Sequence, residues 1–183
     1  MAADGLAQWT EQVSRAQRGD RDAFAGLYAG FARTVHAIVL GYVGAGAAED
    51  VTQEVFSSVF ATIGRLREPA AFPAFLCTAA RNAARDVLRQ QRRAPRGEPV
   101  AELAAREPSP LASAEQREAA AQVLAVIATL PDTYRETLLL RLVAGLSGPE
   151  IAERTGMTHG SVRVNLTRGM AMLRPLLQEA GLP

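Results

Sequence analysis

The stretch GPEIAERTGMTHGSVRVNL, residues 148–166, decides how the carboxyl-terminal part of this chain folds. Its spacing predicts two helices, one on each side of Gly156. Ala152 is small where two helices must cross closely. Gly156 follows the first helix, where a left-handed backbone is needed and a side chain would clash. Val162 supplies a branched apolar plug from the second helix. Ala, Gly and Val at relative spacings of four and six residues form the helix-turn-helix pattern, and Ile151 and Leu166 add core contacts. Thr158 is a good N-cap for the second helix. That helix then presents His159, Gly160, Ser161, Arg163 and Asn165 near its start. In this motif the start of the second helix enters the major groove of DNA. Arg can bond guanine bidentately and Asn can bond adenine, so these residue types suit base reading. From Arg154 to Arg174 there are four Arg and no acid, a local cationic patch that can bind phosphate. The same residues also fit a plain helical hairpin with solvated arginines, and His159 taken singly fits a solvated surface position.

The whole chain has 183 residues, enough for one medium domain or two small ones. Its 20 basic side chains, all Arg, nearly balance 19 acidic ones, so only the distribution of charge can speak about partners. Ala fills 35 positions and aromatics only 5%. Ala and Arg are good helix formers and β-branched residues are a minority, which favours small helical cores over a sheet. One cysteine, Cys77, excludes an internal disulfide framework, and two His exclude a Cys/His zinc cluster. Cys77 reads as a small buried hydrophobe. No apolar run reaches the roughly 18 residues that span a bilayer. The start, MAADGLAQWTEQ, lacks the cationic and apolar stretches of a signal peptide. A cytoplasmic protein without direct membrane insertion is the expectation.

Three zones emerge. Residues 1–97 read as helical, residues 98–118 as a linker containing Pro99, Pro108 and Pro110, and residues 119–183 as helical again. The first zone carries a net charge of +3, the middle −3 and the last +1. A polar, acidic, proline-bearing segment between two periodic ones is a linker signature. In the first zone four helices are expected. One runs from about Leu6 to Arg18. The next, about Arg21 to Val43, is capped by Asp20 and ended by Gly41, Gly44 and Gly46; Phe24, Leu27, Tyr28, Phe31, Val35, Ile38 and Val39 share one face. The third starts near Ala47, with Val51, Val55, Phe56, Val59, Phe60 and Ile63 at helical spacing. Residues 64–73, GRLREPAAFP, form a loop because Pro69 and Pro73 oppose helix continuation. The fourth runs from about Ala74 to Arg93. Nothing alternates with period two, so the fold class is all-α.

Two surfaces in the first zone stand out. In FLCTAARNAARDVLRQQRR, residues 75–93, Leu76, Ala80, Ala83 and Val87 line one side of a helix. Arg81, Arg85 and Arg89 recur every four residues on another, followed by Arg92, Arg93 and Arg96, against the single acid Asp86. The natural partner of such a stripe is a polyanion; a solvated face with Asp86 paired to an arginine one turn away is the bland alternative. The segment AEDVTQEVF, residues 48–56, turns Val51, Val55 and Phe56 inward and leaves Asp50, Gln53 and Glu54 as outer neighbours. They suit either a helix start at the positive end of its dipole or a docking face for a basic partner, and composition does not choose. The chain has no phosphate-cradling glycine loop and no Ser/His/Asp or Cys/His set, so no catalytic residues and no enzyme activity are expected. An autonomous helix-turn-helix regulator would share the carboxyl half but would need neither of these two surfaces.

RGDRDAF, then AEDVTQEVF, then ARNAARDVLR, then a linker and LPDTYRETLLLRLVAGLSGPEIAERTGMTHGSVRVNLTRGMAMLR occur in this order. That series resembles the extracytoplasmic-function sigma factors of bacterial RNA polymerase over nearly the whole chain except the linker. The resemblance implies two small helical domains joined by a flexible linker: a four-helix sigma-two domain at 1–97 and a helix-turn-helix sigma-four domain at 119–183. It implies a subunit that binds core RNA polymerase through its beta-prime and beta subunits and directs promoter-specific initiation. Asp50, Gln53 and Glu54 would dock on a beta-prime coiled coil. Arg81, Asn82, Arg85, Asp86 and Arg89 would address the minus-ten element of promoter DNA, and the loop from Arg65 to Phe72 would receive an extruded base. Thr158, His159, Ser161, Arg163, Asn165 and Arg168 would read the minus-thirty-five element. No cofactor and no metal are implied, and an anti-sigma factor is a further candidate partner. The chain departs from the family pattern at Phe75, where a tryptophan is common, at Asn165, where a second basic residue is frequent, and at Gly169-Met170, which replaces a small and basic pair. A mid-helix glycine costs roughly 1 kcal/mol against alanine, which puts the length of the recognition helix in question.

Overall fold

The computed structural model describes residues 2–93 and 114–182. Every regular element among them is helical. Four α-helices make up the amino-terminal part: α1 (Ala2–Gln17), α2 (Arg21–Val43), α3 (Ala45–Thr62) and α4 (Phe72–Arg93). Two single 3₁₀ turns, Ile63–Arg65 and Pro69–Ala71, fill the segment between α3 and α4. The carboxyl-terminal part holds α5 (Ala114–Ala128), α6 (Asp132–Leu142), α7 (Gly148–Thr155) and α8 (His159–Glu179).

Local chemistry sets the boundaries. The Asp20 carboxylate accepts the backbone N–H groups of Asp22 and Ala23 at 2.9 and 3.1 Å, which caps α2. It also accepts from Arg15 Nε at 2.8 Å, tying the α1–α2 turn shut. The first of these effects, the Ala23 N–H, does most to hold the Asp20 carboxyl below its ordinary range. Only Gly44 (φ 74°) ends α2; Gly41 lies inside that helix and Gly46 inside α3, which begins at Ala45 rather than Ala47. Gln17 Nε2 donates to the carbonyls of Ile63 and Leu66 at 3.0 and 2.7 Å, and this pins the 3₁₀ segment against α1. Helix α5 starts inside the stretch expected to be linker, because AEQREAAAQ is made of strong helix formers. Residues 98–113 of that stretch lie outside the described residues, as does Arg96.

The aromatic packing is concentrated on α2. Phe31 is fully buried, with Trp9 of α1 edge-on at 4.8 Å and Phe72 of α4 at 5.6 Å. Leu27, Val35, Ile38 and Val39 are buried beside it, as expected, whereas Tyr28 is 41% exposed on the flank facing α3, where it meets Phe56 at 4.7 Å. On α4 the buried small residues are Ala80 and Ala84; Ala83 is only half-covered. By length and composition α2 is apolar enough to cross a membrane, contrary to the expectation that no segment is, but half of that apolar window is buried inside the protein as its central helix.

The two parts share one core. Leu138, Leu139, Leu140, Ile151, Val162 and Leu173 of the carboxyl-terminal helices join the same buried cluster as Leu27, Phe31 and Leu76. Helix α6 crosses α2 at Gly41, where an added Cβ would lie 2.5 Å from Leu139 Cδ1. Arg154 of α7 reaches into α2: its Nη1 donates to the Gly30 carbonyl at 2.8 Å and to the Thr34 hydroxyl, and its guanidinium lies 4.8 Å from the Phe31 ring centroid.

Candidate nucleic-acid and polymerase interface

The helix-turn-helix forms as the sequence predicts, with one feature the pattern did not reveal. Helix α7 opens on a capping box: Ser147 N–H donates to Glu150 Oε2 at 2.7 Å, and Glu150 N–H donates to Ser147 Oγ at 3.4 Å. Gly156 ends the helix in the left-handed region (φ 76°, ψ 8°), a conformation that a Cβ disfavours. Thr158 caps α8, accepting the Ser161 N–H at 3.1 Å. Ile151, Ala152 and Val162 are all buried in the crossing. Gly169 does not shorten the recognition helix, which continues to Glu179. The glycine lets α8 pass close to α6, since a Cβ there would meet Leu138 at 3.1–3.2 Å.

His159, Ser161, Arg163 and Arg168 lie exposed at the start and along the outer side of α8. Thr158 is exposed as well, but its hydroxyl is already engaged with the Ser161 N–H and hydroxyl. Asn165 is different. It is only 9% exposed and its Nδ2 donates to Met157 Sδ at 3.6 Å, so it braces the turn from inside rather than pointing outward. The cationic patch read from 154–174 also shrinks by one, because Arg154 is held between α7 and α2. Burial there lowers the Arg154 pKa.

On α4 the arginine ladder exists, but each rung is occupied. Arg81 Nε donates to Glu136 Oε2 at 2.8 Å, with the two side chains 24% and 10% exposed. Arg85 Nη2 donates to Asp132 Oδ2 at 2.9 Å. Arg89 pairs with Asp86 on its own helix, the arrangement one turn apart that the bland reading foresaw. Asn82 is exposed beside them. Asp132 also accepts from Tyr42 Oη at 3.2 Å and, through its other oxygen, from Arg135. The Arg85 hydrogen bond, above all, holds the Asp132 carboxyl below the usual carboxylate range. Cys77 lies fully buried on the next turn, its thiol donating to the Arg154 carbonyl at 3.2 Å, and burial pushes its pKa up to about 12.

Sequence reading missed Glu136 and Asp132, although a signal was present. They stand four residues apart on α6, and Arg81 and Arg85 stand four apart on α4. Two ladders of equal step and opposite charge can pair rung for rung if the helices run alongside each other.

Asp50, Gln53 and Glu54 share an exposed strip of α3, with Gln53 Nε2 3.5 Å from Glu49 Oε1. Val51, Val55 and Phe56 on the opposite side are buried and hold that strip in place. Arg65 lies on the exposed 3₁₀ segment, whereas Phe72 belongs to the core and is not part of the outer loop surface.

Two family models match within these two parts: sigma-70 region 2 over residues 27–94 and sigma-70 region 4 over residues 120–173. The RNA polymerase sigma factor CarQ of Myxococcus xanthus is 34% identical over 171 residues, covering 91% of this chain and 96% of CarQ. The chain belongs to the extracytoplasmic-function sigma factors. As a member of that family it is an alternative sigma factor, a transcription-initiation protein. The probable RNA polymerase sigma factor RfaY of Xanthomonas campestris pv. campestris is 33% identical over 181 residues; this chain spans 45% of the length of RfaY. The solved structure of CnrH in complex with the cytosolic domain of CnrY has the same fold, with a TM-score of 0.65 at 22% identity over 93% of this chain and 97% of that one.

Proposed function

We propose that this sigma factor binds core RNA polymerase through the α3 strip and sets two helices, α4 and α8, against the two elements of one promoter. The observation that carries this reading is the helix-turn-helix. A rigidly capped α8 offers His159, Ser161, Arg163 and Arg168 at its exposed start and outer side. Groove reading needs such a helix start, free of the core and flanked by cations. Asn165 drops out of the base-reading set because it is turned inward. Its role is to hold the turn.

Asp50, Gln53 and Glu54 supply the contact to the beta-prime subunit, the beta subunit lying within reach of the carboxyl-terminal part. Arg81, Asn82, Arg85, Asp86 and Arg89 supply the contact to the minus-ten element and its separated strand. The guanidinium groups pair with phosphate oxygens, and Asn82 supplies a donor and an acceptor for a base edge. The sigma-two unit comprises residues 1–97 and the sigma-four unit residues 119–183, the latter extended at its amino end by the first turn of α5. The protein acts in the cytoplasm, where its polymerase is, and does no covalent chemistry of its own. An anti-sigma factor is a partner that family membership proposes.

The test is assembly. Purified core polymerase and this chain are mixed and passed over a sizing column. Co-elution in the wild type, lost when Asp50 and Glu54 are both changed to Arg, supports the reading. Co-elution unaffected by those changes removes the docking assignment.

A further inference from the structure

Helix α8 turns its buried residues, Val162, Asn165, Gly169 and Leu173, to one side. Successive residues of an α-helix are about 100° apart, so Val164 stands about 160° around the axis from Val162 and about 180° from Leu173. It marks the outer pole of the second turn and is 41% exposed. Gly160 one turn before it and Thr167 and Arg168 one turn after it are exposed as well. Val164 belongs neither to the buried core nor to the half-buried residues packed against it. The other large apolar side chains that the described residues expose lie on α2, α4 and α6, or, as Met172, farther along α8. Val164 alone among them stands on the leading turns of the recognition helix, where this motif meets base edges.

Three observations narrow what meets it. First, Arg163 lies about 100° to one side of Val164 and Arg168 about 40° to the other, and no acid occurs from Arg154 to Arg174. A face flanked in that way suits a polyanion, with the guanidinium groups toward its phosphates. Second, the amide next to Val164 is spent inside the protein, since Asn165 Nδ2 donates to Met157 Sδ at 3.6 Å. The outward position at this level is left to a side chain with neither donor nor acceptor. Third, Gly160 on the same face has open space around it. An added Cβ there would have only Thr158 Oγ1 within 4 Å, at 3.9 Å. Packing within the protein does not call for a glycine at that point, whereas a surface that must come down to the helix beside Val164 does.

The apolar group that a base edge presents in the major groove is the C5-methyl group of thymine. We infer that Val164 is a specificity-determining residue: it reads one thymine of the minus-thirty-five element by its methyl group, and Gly160 lets that base edge approach. The inference rests on the reading of α8 as the minus-thirty-five helix. It adds a residue that hydrogen-bonding logic passes over, and it assigns that residue a base. Cytosine, adenine and guanine offer no such methyl group. Burial of one methyl group against a valine is worth about fourfold in affinity.

The experiment uses the complex of the full chain with core polymerase. That complex selects duplexes from a randomised library, with core polymerase alone as the background. In one enriched duplex each thymine, on either strand, is then replaced in turn by deoxyuridine. This keeps every hydrogen-bonding group and removes only the methyl. The wild type should lose about fourfold in affinity at one of these positions. Val164→Ala should bind the unmodified duplex at least about fourfold more weakly and no longer tell thymine from deoxyuridine there. Val164→Ile, which keeps a branched apolar side chain, should retain the distinction. All three chains should melt alike, because position 164 is exposed.

A Val164→Ala chain that distinguishes thymine from deoxyuridine as the wild type does, at every position, overturns the inference. So does an enriched sequence that the wild type binds equally well with and without each methyl. Should Val164→Ala weaken assembly with core polymerase and leave the methyl preference intact, the valine belongs to a protein interface and the inference falls. Each of these failures leaves the proposed function standing, because an enriched sequence is itself the mark of promoter reading. A complex that enriches no sequence over core polymerase alone sinks the function, and this inference with it.

Discussion

Arg154→Ala is the substitution whose consequence follows most fully from the geometry. The side chain crosses from α7 to α2, donates to the Gly30 carbonyl at 2.8 Å and to the Thr34 hydroxyl, and covers the Phe31 ring at 4.8 Å. Three contributions disappear. Half-burial of the three-carbon stem is worth about 1 kcal/mol. Stacking of the guanidinium on a largely dry ring adds about 1 kcal/mol. Hydrogen bonds from a charged donor are worth about 1.5–3 kcal/mol, but burial of the cation, which already lowers its pKa, takes back part of that. Thr34 and Gly30 are not left destitute. They are four residues apart on α2, so the hydroxyl can turn to its own helix carbonyl. The net expectation is a loss of about 3 kcal/mol for Arg154→Ala, and about 2 kcal/mol for Arg154→Met, which keeps the stem. Urea unfolding followed by circular dichroism measures both. A single cooperative transition is expected for the wild type, because both parts share one core. An Arg154→Ala chain within about 0.5 kcal/mol of wild type would refute the claim that α7 is fastened to α2.

Other perturbations separate the surfaces. Charge reversal at Asp50 or Glu54 should weaken association with core polymerase and leave the urea midpoint unchanged, since both side chains are exposed; a falling midpoint would make them structural. Arg163→Ala should weaken binding to a minus-thirty-five duplex by about 1–3 kcal/mol if it meets a base edge. An equal loss on every sequence would make it a phosphate contact instead. Acid should destabilise the fold from below the ordinary carboxylate range. Asp20, Asp132 and Glu150 all have folded-state pKa values lowered by hydrogen bonds. Their contribution is complete above the unfolded carboxylate value of about 4 and is lost as pH falls through the lower folded values. A melting temperature that stays flat between pH 5 and pH 3 (about one unit either side of that value) would contradict it.

The helical class was readable because the periodicity of α2, α3 and α4 was reinforced by punctuation: Asp20 as a cap, Gly44 as a stop, prolines between α3 and α4. The helix-turn-helix was readable because its three small or branched residues are each required by a separate steric fact. Residue type alone points Asn165 at a base. Amide side chains read bases, yet position 165 sits on the inner side of α8 next to Met157, and face outranks chemistry. Helix α5 begins at Ala114, ahead of the apolar periodicity that starts at Val123, because AEQREAAAQ already favours a helix. Pairing between α4 and α6 could not be read along the chain. Residues 81 and 136 are brought together by the Gly41–Leu139 crossing, and only the matched spacing of the two ladders hinted at it.

Run-off transcription on genomic fragments, with purified core polymerase and with or without this chain, tests the central claim most directly. The account expects new start sites that appear only when the chain is present, preceded by two common elements at minus ten and minus thirty-five, with Arg163→Ala lowering use of those sites. RNA beginning at the same positions in both reactions would contradict it.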